Sequence, residues 1–139
     1  YSVPAAVAAS IADPERLTLS FVGDGGFMMS GNELATAAQY GGRPIVLLFN
    51  NGIYGTIRMH QERDHPERIS GTTLINQDFC KMAEGYGAHA ERVTKTADFA
   101  AAFDRARASG RPALIELVTN PEQISTRTTI TKLRDAAKK

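Results

Sequence analysis

Apolar residues recur along this chain in two rhythms. Leu17 to Val22 reads as a buried strand, Ile45 to Phe49 (IVLLF) is an unbroken apolar run, Ala88 to Val93 reads as a short strand and Ala113 to Val118 (ALIELV) as another buried one. An unbroken run of that length predicts a strand covered on both faces, as in a parallel sheet. Between the runs the spacing becomes helical. Ser2, Pro4 and AAVAASIA predict an N-cap, a proline in the first turn and a short buried helix ending before Asp13-Pro14. Asn32 to Tyr40 predicts a helix stopped by Gly41-Gly42, Asp78 to Tyr86 another, and Phe99, Ala102, Phe103 and Ala106 mark one face of a third. Residues 58–76 are polar and predicted irregular, and the last twenty residues read as an appendage with a terminal helix. Strands alternating with helices predict one α/β domain, a doubly wound, mostly parallel sheet with helices on both faces. Ligands of such sheets sit at the carboxyl ends of the strands.

Two of those ends carry unusual residues. The first run leads into Gly23-Asp24-Gly25-Gly26, the second into Asn50-Asn51-Gly52. The dinucleotide fingerprint GxGxxG fails because Met28 stands where Gly or Ala is required, and no Gly-Lys-Ser or Gly-Lys-Thr supports a P-loop. What remains is a glycine-flanked carboxylate and, 27 residues later, an amide oxygen at the next predicted strand end. Mg²⁺ takes hard oxygen ligands, one or two carboxylates with phosphate oxygens and water completing an octahedron. Glycines beside Asp24 would let backbone N–H groups approach a diphosphate, and the following helix would direct its positive end at the same anion. Each segment alone is an ordinary turn. Their order, each after a buried run with a helix between, is the specific feature.

Gly23-Asp24-Gly25, twenty-four residues, then Asn50-Asn51 resembles the signature of thiamine-diphosphate enzymes, nearest the acetolactate synthase and benzoylformate decarboxylase branch. Tyr1-Ser2-Val3-Pro4-Ala5-Ala6, Glu33-Leu34-Ala35-Thr36-Ala37 and Asn51-Gly52-Ile53-Tyr54-Gly55 are similar to neighbouring family segments, so the likeness runs from Tyr1 to about Asn120. Acetolactate synthases carry a small residue and Ser after the aspartate, where this chain has Gly25-Gly26, which leaves the branch open.

The resemblance implies that Asp24 and Asn51 give side-chain oxygens, and Ile53 its carbonyl, to Mg²⁺. Gly23 to Gly26 and Tyr54 would meet the diphosphate, Gly25, Gly26 and Tyr54 through backbone amides. It implies an enzyme that decarboxylates a 2-oxo acid such as pyruvate and transfers the resulting carbanion equivalent, the thiazolium ring serving as electron sink. Residues 1–120 would be the cofactor-binding domain and 121–139 an extension. No catalytic residue is assigned here, because the glutamate that activates the cofactor would come from an N-terminal domain of a partner subunit in a homo-oligomer. FAD is compatible with a middle domain. The chain opens at Tyr1 rather than Met, so further sequence is expected upstream, and this portion alone is expected to bind weakly and catalyse nothing. A nucleotide-binding module and a silent assembly domain are the competing readings.

Composition narrows the setting. The 139 residues fit one ordinary domain, and 42% hydrophobic with 22% charged residues is a globular balance. Sixteen basic against fifteen acidic residues give +1, no overall field for nucleic acid, and no run approaches a membrane span. Arg127, Lys132, Arg134, Lys138 and Lys139 against Asp135 make the end basic, read as a solvated tail. Cys80 lacks a disulfide partner, which suits the cytoplasm, and reads as a buried structural thiol. His60, His65 and His89 have no metal spacing, His60 being the one nearest a substrate position. Met28 and Met29 fit either a thiazole pocket or core. Glu62, Glu67 and the arginines near them are read as an exposed charged loop, with contact to a substrate carboxylate equally open.

Overall fold

The computed structural model describes residues 1–138. Their contacts divide the chain into two compact units, Tyr1–Asn50 with Gln77–Val118, and Asn51–Asn76 with the residues from Thr119 on.

The first unit is built on four parallel strands, β1 (Leu19–Gly23), β2 (Ile45–Asn50), β3 (His89–Val93) and β4 (Ala113–Val118), in the order β1-β2-β4-β3. Because side chains alternate along a strand, the apolar runs feed two cores. Val46, Leu48 and Leu114 face α1 (Ser2–Ala12), α2 (Asp24–Ser30), α3 (Glu33–Tyr40) and α5 (Phe79–Gly85), whose Val3, Val7, Phe27, Leu34, Ala37, Phe79 and Ala83 complete that layer. Ile45, Leu47, Ala113 and Ile115 face Ala102 and Ala106 of α6 (Phe99–Ala108) on the other side. The change of side follows from handedness. The chain steps from β1 to β2 in one direction and from β3 back to β4 in the other, and a right-handed crossover then lies on the opposite face.

Local chemistry sets the boundaries. Gly41 closes α3 in the left-handed conformation at φ 74°, and Asp78 caps α5 by accepting from the Lys81 amide at 3.2 Å. Phe27 and Phe79 meet edge to face at 5.6 Å, and any Cβ on Gly31 would lie 2.5 Å from the Phe27 ring. Three expectations are corrected. Tyr1, not Ser2, stands at the N-cap of α1, while the Ser2 hydroxyl meets Ser20 at 2.8 Å and donates to the Phe21 carbonyl at 2.9 Å. The stretch after β1 is no open turn, since α2 begins at Asp24. The Leu17 to Val22 run is not buried throughout. Strand β1 lies at the sheet edge, with Leu17 51%, Leu19 37% and Phe21 60% exposed, because α6 covers only the β3–β4 side.

In the second unit α4 (Gly55–Asp64) packs against α7 (Ile130–Ala137). Helix α4 takes residues 58–64 of the stretch 58–76 that was expected to be irregular. Its inward residue is Glu62, which is 0% exposed. A helix that buries a carboxylate shows no apolar periodicity, so the pattern could not reveal it. Glu62 Oε2 accepts from Arg134 Nε at 2.8 Å and from the Glu67 amide at 2.9 Å, Oε1 from Arg134 Nη2 at 2.6 Å and Arg58 Nε at 3.3 Å. Arg134 is thus a structural partner of α4 and Lys138 pairs with Glu67 at 2.7 Å, so the solvated-tail reading does not hold for these two cations. Thr129 caps α7 by accepting from the Lys132 amide, and Glu122 accepts from the Thr131 amide and hydroxyl.

Candidate functional site

Strands β1 and β2 pair in parallel with Gly23 opposite Phe49, so Asp24 and Asn50 leave the same, carboxyl, end of the sheet side by side. Asp24 is 3% exposed. It opens α2, where a carboxylate is favoured by the helix dipole, and its Oδ1 accepts from the Gly25 amide at 2.8 Å. Gly23 is the N-cap in extended conformation. A Cβ on Gly26 would stand 3.1 Å from Val22 Cγ2, so glycine there lets the helix turn back tightly on β1. Asn50 Nδ2 donates to Glu116 Oε1 of β4 at 2.7 Å.

The remaining candidates lie in the second unit. Asn51 Oδ1 accepts from the Ile53 amide at 3.1 Å, and Gly52 takes φ 69°, a left-handed turn that suits glycine. Ile53 pairs antiparallel with Thr73, the flanking bonds being Tyr54 N–H to Thr72 O at 2.9 Å and Leu74 N–H to Gly52 O at 2.8 Å. In that pattern the N–H and C=O of Ile53 point away from Thr73, and its carbonyl meets no donor among the described residues. The Tyr54 amide is engaged by Thr72, so a diphosphate contact through it requires that bond to yield. Gly55 starts α4 close against the asparagine, a Cβ there standing 3.2 Å from Asn51 Nδ2. The first unit thus offers a buried carboxylate, and the second an amide oxygen and an outward carbonyl, each an oxygen of the kind that hard cations take.

Among the described residues no cluster of His, Cys, Asp and Glu has the makings of a metal site. His60 lies on α4 and His65 caps its end. His89 Nε2 lies 2.8 Å from Glu91 Oε1, whose carboxylate also pairs with Arg105. Met28 and Met29, 49% and 77% exposed, do not enter the core of their unit. A cavity of about 250 Å³ in the first unit, among them Arg16, Arg43, Ile45, Arg107 and Arg111, opens at the amino ends of the strands, away from Asp24. Cys80 is half-buried with Sγ 3.7 Å from Glu116 Oε2, and burial, then the Glu116 carboxylate, push its pKa up to about 11. At pH 8 its alkylation by iodoacetamide should run roughly a hundred-fold slower than that of an ordinary thiol, since only the thiolate reacts. A rate equal to that of free cysteine, followed by mass spectrometry, would contradict this environment.

The residue that pattern reading missed is Glu116, 2% exposed in β4. Its signal was present, a lone charge inside the apolar run ALIELV, because a buried carboxylate must be compensated by donors.

Residues 1–117 match the sequence family described as thiamine pyrophosphate enzyme, C-terminal TPP binding domain. The chain belongs to that family. It is 37% identical over 128 residues to the acetolactate synthase large subunit of Corynebacterium glutamicum, covering 88% of this chain and 20% of the relative. It is 34% identical over 132 residues to the 3D-(3,5/4)-trihydroxycyclohexane-1,2-dione hydrolase of Bacillus subtilis, covering 90% and 21%. Among solved structures, the thiamine diphosphate-dependent 4-hydroxybenzoylformate decarboxylase of Rhodococcus jostii superposes with a TM-score of 0.80 at 36% identity, covering 86% of this chain and 23% of that one. The chain thus spans about a fifth of the length of the curated relatives it matches. Membership fixes the cofactor class of this thiamine-pyrophosphate-binding domain and answers the nucleotide-module alternative. Among the described residues no helix is long and apolar enough to cross a membrane.

Proposed function

We propose that this domain holds thiamine diphosphate through Mg²⁺, with the Asp24 carboxylate, the Asn51 amide oxygen and the Ile53 carbonyl as the protein ligands. Gly23, Gly25, Gly26 and Tyr54 lie against the diphosphate. The observation that carries this reading is the buried Asp24 at the carboxyl end of β1, beside the end of β2, in a chain of this family. Asp24 supplies fixed negative charge for the cation, and the flanking glycines remove side chains that would keep phosphate oxygens from the backbone. The outward carbonyl of Ile53 and the Asx turn of Asn51 support the rest of the ligand set. Residues 1–120 form the cofactor-binding domain in this reading, and 121–139 an extension.

When bound, thiamine diphosphate supplies a nucleophilic carbon and an electron sink for decarboxylation. The full-length protein is proposed to decarboxylate a 2-oxo acid such as pyruvate and pass the remaining carbon unit to an acceptor, as an acetolactate synthase does. A 2-oxo acid decarboxylase is the second reading, favoured by the likeness to the Rhodococcus jostii enzyme. The activating glutamate, an FAD site, homo-oligomeric assembly and a cytoplasmic setting belong to the same proposal for the whole protein. Calorimetry on the full-length protein tests it. Thiamine diphosphate should bind only with Mg²⁺ present, while NAD and ATP give no heat. Heat from NAD or ATP with none from thiamine diphosphate would overturn it, and binding without turnover of any 2-oxo acid would favour a silent assembly role.

A further inference from the structure

Glu116 is a carboxylate in the middle of the sheet, where an apolar residue would satisfy the fold. It stands opposite Leu48 on one side and Arg92 on the other. Its two oxygens are divided between them: Oε1 accepts from Asn50 Nδ2 at 2.7 Å, two residues further along β2, and Oε2 accepts from Arg92 Nε at 2.7 Å. Arg92 continues to Asp78 Oδ1 at 3.1 Å, the oxygen that caps α5. A polar line therefore runs from the start of α5 across β3 and β4 to the last residue of β2. Burying such an ion pair stabilises a fold little more than apolar residues of the same size, because desolvation offsets the attraction. What the carboxylate does that leucine cannot is grip the Asn50 amide.

Asn50 is covalently joined to Asn51, and the direction in which the chain leaves β2 is set at that peptide. We infer that Glu116 is a positioning residue for the metal loop: by holding Asn50 it fixes how the backbone enters Asn51, and so prearranges the amide oxygen for the cation. The inference rests on the reading of Asn51 as a Mg²⁺ ligand. Preorganised ligands bind more tightly because less ordering remains to be done on binding.

The test measures Mg²⁺ dissociation constants at saturating thiamine diphosphate, and Tm without cofactor, on the full-length protein and its variants. Glu116→Leu and Asn50→Ala should each weaken Mg²⁺ about ten-fold, and the double variant no further than either, since both remove one charge-assisted hydrogen bond. Glu116→Gln keeps a carbonyl oxygen for Asn50 and gives up the ion pair with Arg92. It should lower Tm yet hold Mg²⁺ within about three-fold of wild type, a split that a merely structural role would not produce. Should Glu116→Leu fail to fold, Asn50→Ala and Glu116→Gln carry the comparison. Wild-type affinity in Asn50→Ala, or losses that multiply in the double variant, would overturn the inference alone. Thiamine diphosphate uptake by the wild type without any need for Mg²⁺ would overturn the reading of Asn51 and this inference with it.

Discussion

Asp24→Asn is expected to weaken Mg²⁺-dependent binding of thiamine diphosphate by the full-length protein at least about a hundred-fold, and to remove activity with it. The asparagine is chosen over alanine because the Asp24 carboxylate has a local duty as well. Its Oδ1 accepts from the Gly25 amide at the start of α2, and an amide oxygen keeps that bond while losing the charge. A variant with unchanged Tm and lost affinity therefore reports on the cation alone. Asn51→Ala should cost about ten- to a hundred-fold by the same assay, less because the lost ligand is neutral. It also removes the Asx turn that orders Ile53. Wild-type dissociation constants in Asp24→Asn, measured by calorimetry, would remove the ligand assignment from this residue.

Why those two side chains were legible while much around them was not has a physical reason. The parallel strands announce themselves because they are buried on both faces, so β2 and, but for Glu116, β4 were visible as apolar runs with boundaries correct to a residue. The glycine tetrad and the asparagine triplet stood out because the residues that follow such strands are the ones that carry chemistry. Strand β1 misled for the converse reason: Leu19 and Phe21 are apolar, but their face at the sheet edge lies outside the cover of α6. Helix α2 was hidden because glycine is a poor helix former and two of its seven residues are glycine, its stability coming from the burial of Phe27 against Phe79. Glu62 was unreadable as an interior residue, and the lone charge of Glu116 gave no hint of its partner, since Arg134 and Asn50 lie far away in sequence and no local pattern encodes such pairs.

The partner of Glu62 leads to the second large effect, on stability. Glu62→Ala should destabilise the unit formed by α4 and α7 by about 3 kcal/mol, the lower end for breaking a buried ion pair because Arg134 keeps partial contact with water. The variant leaves the guanidinium groups of Arg134 and Arg58 without their carboxylate and the Glu67 amide without its acceptor. Glu62→Leu with Arg134→Leu should recover much of the loss, since a well-packed apolar pair does without the desolvation that the ions incur. The same carboxylate gives the unit a pH dependence of definite sign. The Arg134 hydrogen bonds hold the Glu62 pKa down to about 2 against the usual 4.5, and burial opposes them. A depressed carboxylate pKa contributes stability that is fully present above the unfolded value and is lost as pH falls from there towards the folded one, here between about 4.5 and 2. Hydrogen exchange of peptides covering 55–64 and 130–137 reads this unit without interference from the sheet. Protection there should fall as pH drops through that window in the wild type and vary much less in Glu62→Gln. Because α4 begins at Gly55 against the Asn51 amide, exchange in residues 51–54 should rise together with that of α4 in Glu62→Ala. Rising exchange in α4 with 51–54 unchanged would mean that the metal loop is held independently of the helix that follows it.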